Sequence, residues 1–189
     1  MNPQLVNILI TLTMMLLSRF IDMEQPTIKF SIRILYTVSI AFALIAYYLT
    51  KRNIQKENNL QILKYVKSGS TIFEEKETLE VTTIKDYDLG EVNSSLKSLY
   101  SGAAFMLFMH LYMGYTNPLF MQFIPAVKGA IEHNEVKIHL FEKAPIGELK
   151  RPFKAAPMFG GMTSGPESKT DRKSIEELER AGNGGIKRD

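Results

Sequence analysis

The 189-residue sequence contains no cysteine. A disulfide framework, a thiolate nucleophile and a Cys-ligated zinc site are thereby excluded. Charge is missing locally. Residues 5–17 and 34–49 carry none, and 98–127 carries only the ionisable His110. No basic residue precedes the first apolar run, and no small-residue cleavage site follows it before Arg19. That run is therefore expected to be a retained membrane helix, not a cleaved signal. No internal repeat is present, and Gly160-Gly161 lies in a tail without the strand–helix context of a nucleotide-binding loop. No Ser/His/Asp set has a plausible shared pocket, and His133 and His139 lack ligand spacing. The expectation is a protein that is not an enzyme and uses neither metal nor cofactor.

What is present is segregated. Mean hydropathy is close to zero, yet the apolar residues are bunched and the rest of the chain is strongly charged. A bilayer demands that pattern, because its hydrocarbon core excludes charge and is crossed by about 20 helical residues. One apolar segment runs over 3–20, and a turn at 21–29 contains Pro26. A second begins between Thr27 and Phe30, reaches Leu49 and stops at Lys51-Arg52. The third, 98–131, contains Asn117-Pro118, which reads as a fresh helix start, and Pro125, which should kink or interrupt it.

Between them, 51–76 is polar and helical at first, with SGST at 68–71 breaking the pattern. Residues 79–87 (LEVTTIKDY) read as a strand, and Asp88 with Glu91 as a capping box opening the next helix. Residues 135–142 (EVKIHLFE) alternate as a second strand, expected to pair with the first. The tail from 145 is expected to be mostly disordered. Its exception is a short helix near 174–181, between Ser174 and Gly182.

The fold class expected is a mainly α membrane protein. It has an N-terminal transmembrane helical hairpin (1–50), a cytosolic linker with helix and strand (51–97), and a third apolar helix or re-entrant helical hairpin (98–131). A small cytosolic two-stranded element would join 79–87 to 135–142. Counting Lys51, Arg52 and Lys56 against the charges of the 21–29 turn puts the N-terminus and residue 51 in the cytosol. Strand pairing would then return the tail to the cytosol.

At about 100° per residue, Gln4, Asn7, Thr11, Ser18 and Asp22 fall in one stripe about 60° wide, with Met14 and Met15 beside it. Polar groups in hydrocarbon are costly, so the stripe should face protein, water or a polar client. Two readings stay open: a helix interface of hydrogen-bonding side chains, and the wall of a hydrophilic groove. Arg19 and Arg33 lie near the same end of the hairpin. They either snorkel to head groups or give such a groove a positive floor. Ser39, Ala43 and Ala46 form a small-residue face suited to close packing. Met106, Met109 and Met113 share a face with Gly102 and Asn117, and His110 lies at its edge. Methionine suits a surface that must accept many apolar partners, although it also fills ordinary cores. His110 is expected to be a hydrogen-bonded interior residue, although with Met14, Met15, Met106, Met109 and Met113 it also belongs to the residues expected to face a client. The tail's bases (Lys150, Arg151, Lys154, Arg172, Lys173) are nearly balanced by acids. A solvated tail is expected, with lipid or the ribosome as the alternative contact.

The start MNPQ, then SRFIDMEQPTI, RILY, VTTIKDYDLGEV, MHLYMGYTNPLFMQ, HNEVKIHLF, LKRPFKA and KTDRKSIEELERAGN, together resemble the fungal Pho-eighty-eight family from residue 1 to about 185. That family was first linked to inorganic phosphate transport and later named the third component of the SRP-independent (SND) targeting route. The resemblance implies an endoplasmic reticulum membrane protein that helps deliver or insert nascent membrane proteins. It also implies action beside the Sec-type channel with the other SND components, and no dealings with DNA. It supplies no catalytic residues.

Overall fold

The computed structural model describes residues 3–71, 74–153, 175–176, 180 and 184–185. The chain divides into two compact units, one of Met1–Asn53 with Glu91–Phe141 and one of Ile54–Gly90 with Glu142–Asp189.

The first unit is a helical bundle. Helix α1, Pro3–Ser18, begins on a proline whose missing N–H costs nothing in a first turn. The chain then turns at Asp22, whose Oδ1 accepts from the Glu24 N–H at 3.1 Å. Pro26 opens helix α2, Pro26–Glu57, whose 32 residues extend about 48 Å at 1.5 Å per residue. It ends where Asn58 takes the left-handed conformation, φ +49°.

Helix α3, Ile84–Leu111, is followed by a turn at Gly114 (φ +77°) and by α4, Asn117–Glu132. The start of α4 differs by one residue from expectation. Thr116 is the N-cap, and in place of a side-chain cap its backbone carbonyl accepts from the N–H groups of Leu119 and Phe120. Pro125 does not interrupt α4, which continues to Glu132.

Contacts along the helices define their directions. Arg33 meets His110, and Tyr48 meets Tyr100, so α2 and α3 run antiparallel. Ser95 meets His133, which folds α4 back along α3. Asn7 meets Lys128, and Met14 clusters with Leu119 and Phe120, so α1 runs antiparallel to α4. That cluster, completed by Ile32 and Tyr36 of α2, is the bundle's core. Ser39, Ala43 and Ala46 are buried, as a close-packing face requires.

The strand expected at 135–142 is a helix: α5 spans Asn134–His139. His133 caps it, its ring accepting from the Glu135 N–H, while Glu135 and His139 pair at i,i+4 (Nε2 to Oε2, 3.3 Å). Alternation over so few residues does not separate strand from helix, and a buried i,i+4 pair exists only in the helix.

The second unit contains the hairpin β1 (Ile62–Thr71) and β2 (Glu74–Thr83), antiparallel from Ile62↔Thr83 to Thr71↔Glu74. The polar stretch expected to be helical until 68–71 is helical only to Glu57, and residues 68–71 are the end of a strand, β1, that was not expected. The short β3, Gly184–Gly185, pairs parallel with β2 at Leu79 and Glu80. The strand expected at 79–87 ends at Thr83. Its hydroxyl accepts from the Asp86 N–H at 3.1 Å and starts α3 one turn before the expected Asp88–Glu91 box.

Asp88 is instead buried inside α3, with both oxygens 2.6 Å from the Arg151 guanidinium. Phe153 packs on Tyr87 and donates its N–H to the Tyr87 hydroxyl at 2.8 Å. The tail's first stretch is thus ordered, through a 3-10 turn at Gly147–Leu149. Residues 175, 176 and 180 are helical. Ser174 and Gly182, the expected ends of that helix, lie outside the described residues.

Candidate functional site

Little of the α1 stripe points into open space unpartnered. The Thr11 hydroxyl donates to its own helix, at the Asn7 carbonyl (2.9 Å), and Ser18 does the same to Met15 (2.7 Å). Such back-bonding makes a hydroxyl tolerable in an apolar setting. Asn7 is different: its Oδ1 accepts from Lys128 Nζ on α4 at 2.7 Å. Lys128 also pairs with Glu132 one turn on. Asn7, Lys128 and Glu132 thus form a polar seam between α1 and α4.

The sequence reading missed Lys128 and Glu132, although their i,i+4 spacing is visible in the sequence. Gln4 lies in the first turn of α1. Asp22 is spent on its turn, and Arg19 is exposed past the end of α1.

Arg33 does not join Arg19 in a shared floor. Its Nε donates to His110 Nε2 at 2.8 Å, and His110 Nδ1 donates to the Tyr115 carbonyl at 3.0 Å. One neutral tautomer satisfies both bonds. His110 is buried and hydrogen-bonded, joining α2 to the turn after α3.

A second histidine works alike. His133 Nε2 donates to Ser95 Oγ at 2.7 Å, Ser95 donates to the Glu91 carbonyl, and His133 Nδ1 accepts from the Glu135 N–H. Burial, reinforced by Lys137, lowers its pKa from 6.5 to about 4, so the ring stays neutral. Its edge also meets the Tyr47 ring.

The methionines divide. Met14 is 2% exposed and belongs to the core, so in this structure it faces no client. Met15 and Met113 are 46% and 47% exposed. Met106 and Met109 are half-buried. Met106 lines a cleft of about 240 Å³ between α2, α3 and α4, with Tyr36, Gly102, Gln122 and Pro125.

Around the bundle the surface is apolar. Leu5, Leu9 and Leu16 of α1, Phe30, Val38 and Ile45 of α2, and Phe105 and Leu111 of α3 are all more than half exposed. By length and composition α2 is able to cross a membrane, and Leu5–Ser18 is a shorter apolar helix.

These features define a small, mainly helical protein with one long apolar helix, polar side-chain bonds that link its helices, and a small hairpin sheet. The profile of the Pho88 family, described as phosphate transport, matches residues 1–186, and the chain belongs to that family. It is 58% identical over 188 residues to SRP-independent targeting protein 3 of Saccharomyces cerevisiae, covering 99% of each chain. It is 41% identical over 181 residues to the SRP-independent targeting protein 3 homolog of Schizosaccharomyces pombe, covering 94% of this chain and 91% of that one. An uncharacterized protein of the same yeast is 34% identical over 163 residues, covering 85% and 81%. No solved structure matches.

Proposed function

We propose that the chain is a multi-pass endoplasmic reticulum membrane protein assisting SRP-independent targeting and insertion of nascent membrane proteins. It acts beside a Sec-type channel with other SND components and is not itself an enzyme. The observation that carries this reading is the 58% identity, end to end, with a relative named for SRP-independent targeting.

The geometry supports it in two ways. At 16 residues each, α1 and α4 extend only about 24 Å. They are short against a hydrocarbon core of about 30 Å and favour local thinning. A thinned bilayer lowers the barrier to moving a client's polar flank. The Asn7–Lys128–Glu132 seam offers polar partners to that flank, with Arg19 beyond one end of α1. Met15, Met106, Met109 and Met113 offer adaptable apolar contact to the client's helix.

Cells relying on this chain and carrying Arg19→Glu with Asn7→Leu should insert SRP-independent clients several-fold less well, at an unchanged level of the protein. Unchanged insertion removes the groove. Crosslinks to nascent chains from residues 7–18 or 106–113 separate an active insertion factor from a passive scaffold subunit.

The family's description favours a second reading, phosphate transport or maturation of a transporter. Transport requires basic groups at mid-membrane between repeated, broken helices. Neither a repeat nor a mid-membrane arginine is present in the sequence. Reconstituted protein moving phosphate on its own would reverse the preference.

A further inference from the structure

Where the apolar stretch of α2 ends, α2 and α3 part to leave an open cleft of about 580 Å³. It is lined by Tyr48 and Lys51 of α2 and by Asn93, Lys97, Tyr100 and Ser101 of α3. On α3 these residues recur at the spacing of one helical face. No carboxylate lines the cleft.

Its donors are prepared but only partly used. Tyr48 and Tyr100 share one hydrogen bond of 2.8 Å between their hydroxyls. Whichever donates, the other keeps its own O–H free for an acceptor. Lys51 Nζ gives one proton to Asn93 Oδ1 at 3.0 Å and has two left. Lys97 is exposed, and no bond to its ammonium is found among the described residues. The cleft therefore presents two cations and a hydroxyl, all donors, with nothing negative to receive them.

Its depth indicates what does. From Lys29 to Lys51 the α2 backbone rises about 33 Å at 1.5 Å per residue. That matches a hydrocarbon core of about 30 Å, so Lys51 and the tyrosine hydroxyls lie at head-group level. Phe105, Leu107 and Phe108, one to two turns further along α3, are more than half exposed and continue the face as hydrocarbon.

We propose that this cleft binds the head group of an anionic glycerophospholipid. Lys51, Lys97 and the free tyrosine hydroxyl hold its phosphate, and its acyl chains run down the apolar faces of α2 and α3. This rests on the reading that α2 crosses a bilayer, with residue 51 on the cytosolic side, where anionic lipid is concentrated. A lipid held there seals the gap between two helices that are bridged at that level by the Tyr48–Tyr100 and Lys51–Asn93 hydrogen bonds.

The test uses the full chain. In membranes, alkaline carbonate should leave the wild type and the Lys97→Gln variant in the pellet. Release of the wild type would overturn the bilayer reading and the lipid site with it. Protein purified in an uncharged detergent is then titrated with dioleoylphosphatidylserine, dioleoylphosphatidylcholine or inorganic phosphate, and bound copies are counted by native mass spectrometry. One copy of phosphatidylserine should bind more tightly than phosphatidylcholine. Lys97→Gln, which removes no contact within the protein, should weaken it about five-fold, as expected for one lysine near a charged surface. Adding Lys51→Gln should weaken it further, and Lys143→Gln should change nothing. A chain retained by carbonate but insensitive to Lys97→Gln loses the site and keeps its place in the membrane. Inorganic phosphate binding as tightly as the lipid would make free phosphate the ligand and overturn the lipid.

Discussion

Arg33 and His110 are the pair whose removal should be most informative, because each lies in an apolar sequence and answers the other. His110 uses both ring nitrogens, toward Arg33 and toward the Tyr115 carbonyl. His110→Phe keeps the bulk and strands both partners, at a cost of about 1–3 kcal/mol per group left unmet. A double-mutant cycle with Arg33→Ala, read from unfolding midpoints in detergent, should show coupling of about 0.5–3 kcal/mol. Additive losses would mean the bond contributes nothing. His133 makes a pH prediction. Its folded pKa, about 4, lies below its ordinary 6.5. As pH falls from about 6.5 toward 4, the unfolded ring takes up a proton that the folded ring refuses, so stability declines through that window. Below about 4 the decline from this group ends. Comparing unfolding midpoints of wild type and His133→Asn across the window should show the steeper slope in the wild type. Of the two expectations for His110, the structure has the bonded interior residue and not the client-facing one, because a lone ionisable group in an apolar run has few alternatives to an internal partner. The sequence did not indicate the partners, since Arg33 and His110 are far apart along the chain.

At the scale of elements, the small-residue face of α2 separates packing from lipid contact. Ala43 is 0% exposed, whereas Val38 on the same helix is 60% exposed. Ala43→Leu forces three extra carbons, branched at Cγ, into a filled seam and should cost about 1–3 kcal/mol. Val38→Leu should change the midpoint little. Equal effects from both would mean the α2 face is loosely packed. The start of α1, the start of α2 and the break before Asn117 were legible in advance, whereas α2 runs past the expected stop at Lys51-Arg52 to Glu57. The element at 134–139 was not. Its alternation fits a strand as well as one and a half helical turns, and the decision rests on Glu135 meeting His139 and on β2 already having β1 as its partner.

For the whole molecule the testable statement is topology. Asn93-Ser94-Ser95 is a glycosylation acceptor pattern lying within α3, and under the proposed topology, with residues 51–97 in the cytosol, it should remain unmodified. An acceptor engineered near Ser168 should stay unmodified too. Its glycosylation, read as a mobility shift reversed by endoglycosidase, would place the tail in the lumen. The segregation of charge from hydrocarbon follows from the sequence by itself, and with it the helical character and the apolar surface, because both are sums over neighbouring residues. Family membership was equally legible, since it too is a property of the string. Only the tertiary structure decided that Met14 lies inside while Met15 lies outside, that Lys128 reaches Asn7, and that Arg151 closes on Asp88. These are pairings between segments distant in sequence. Local pattern prices the burial of a residue but cannot name the neighbour that buries it.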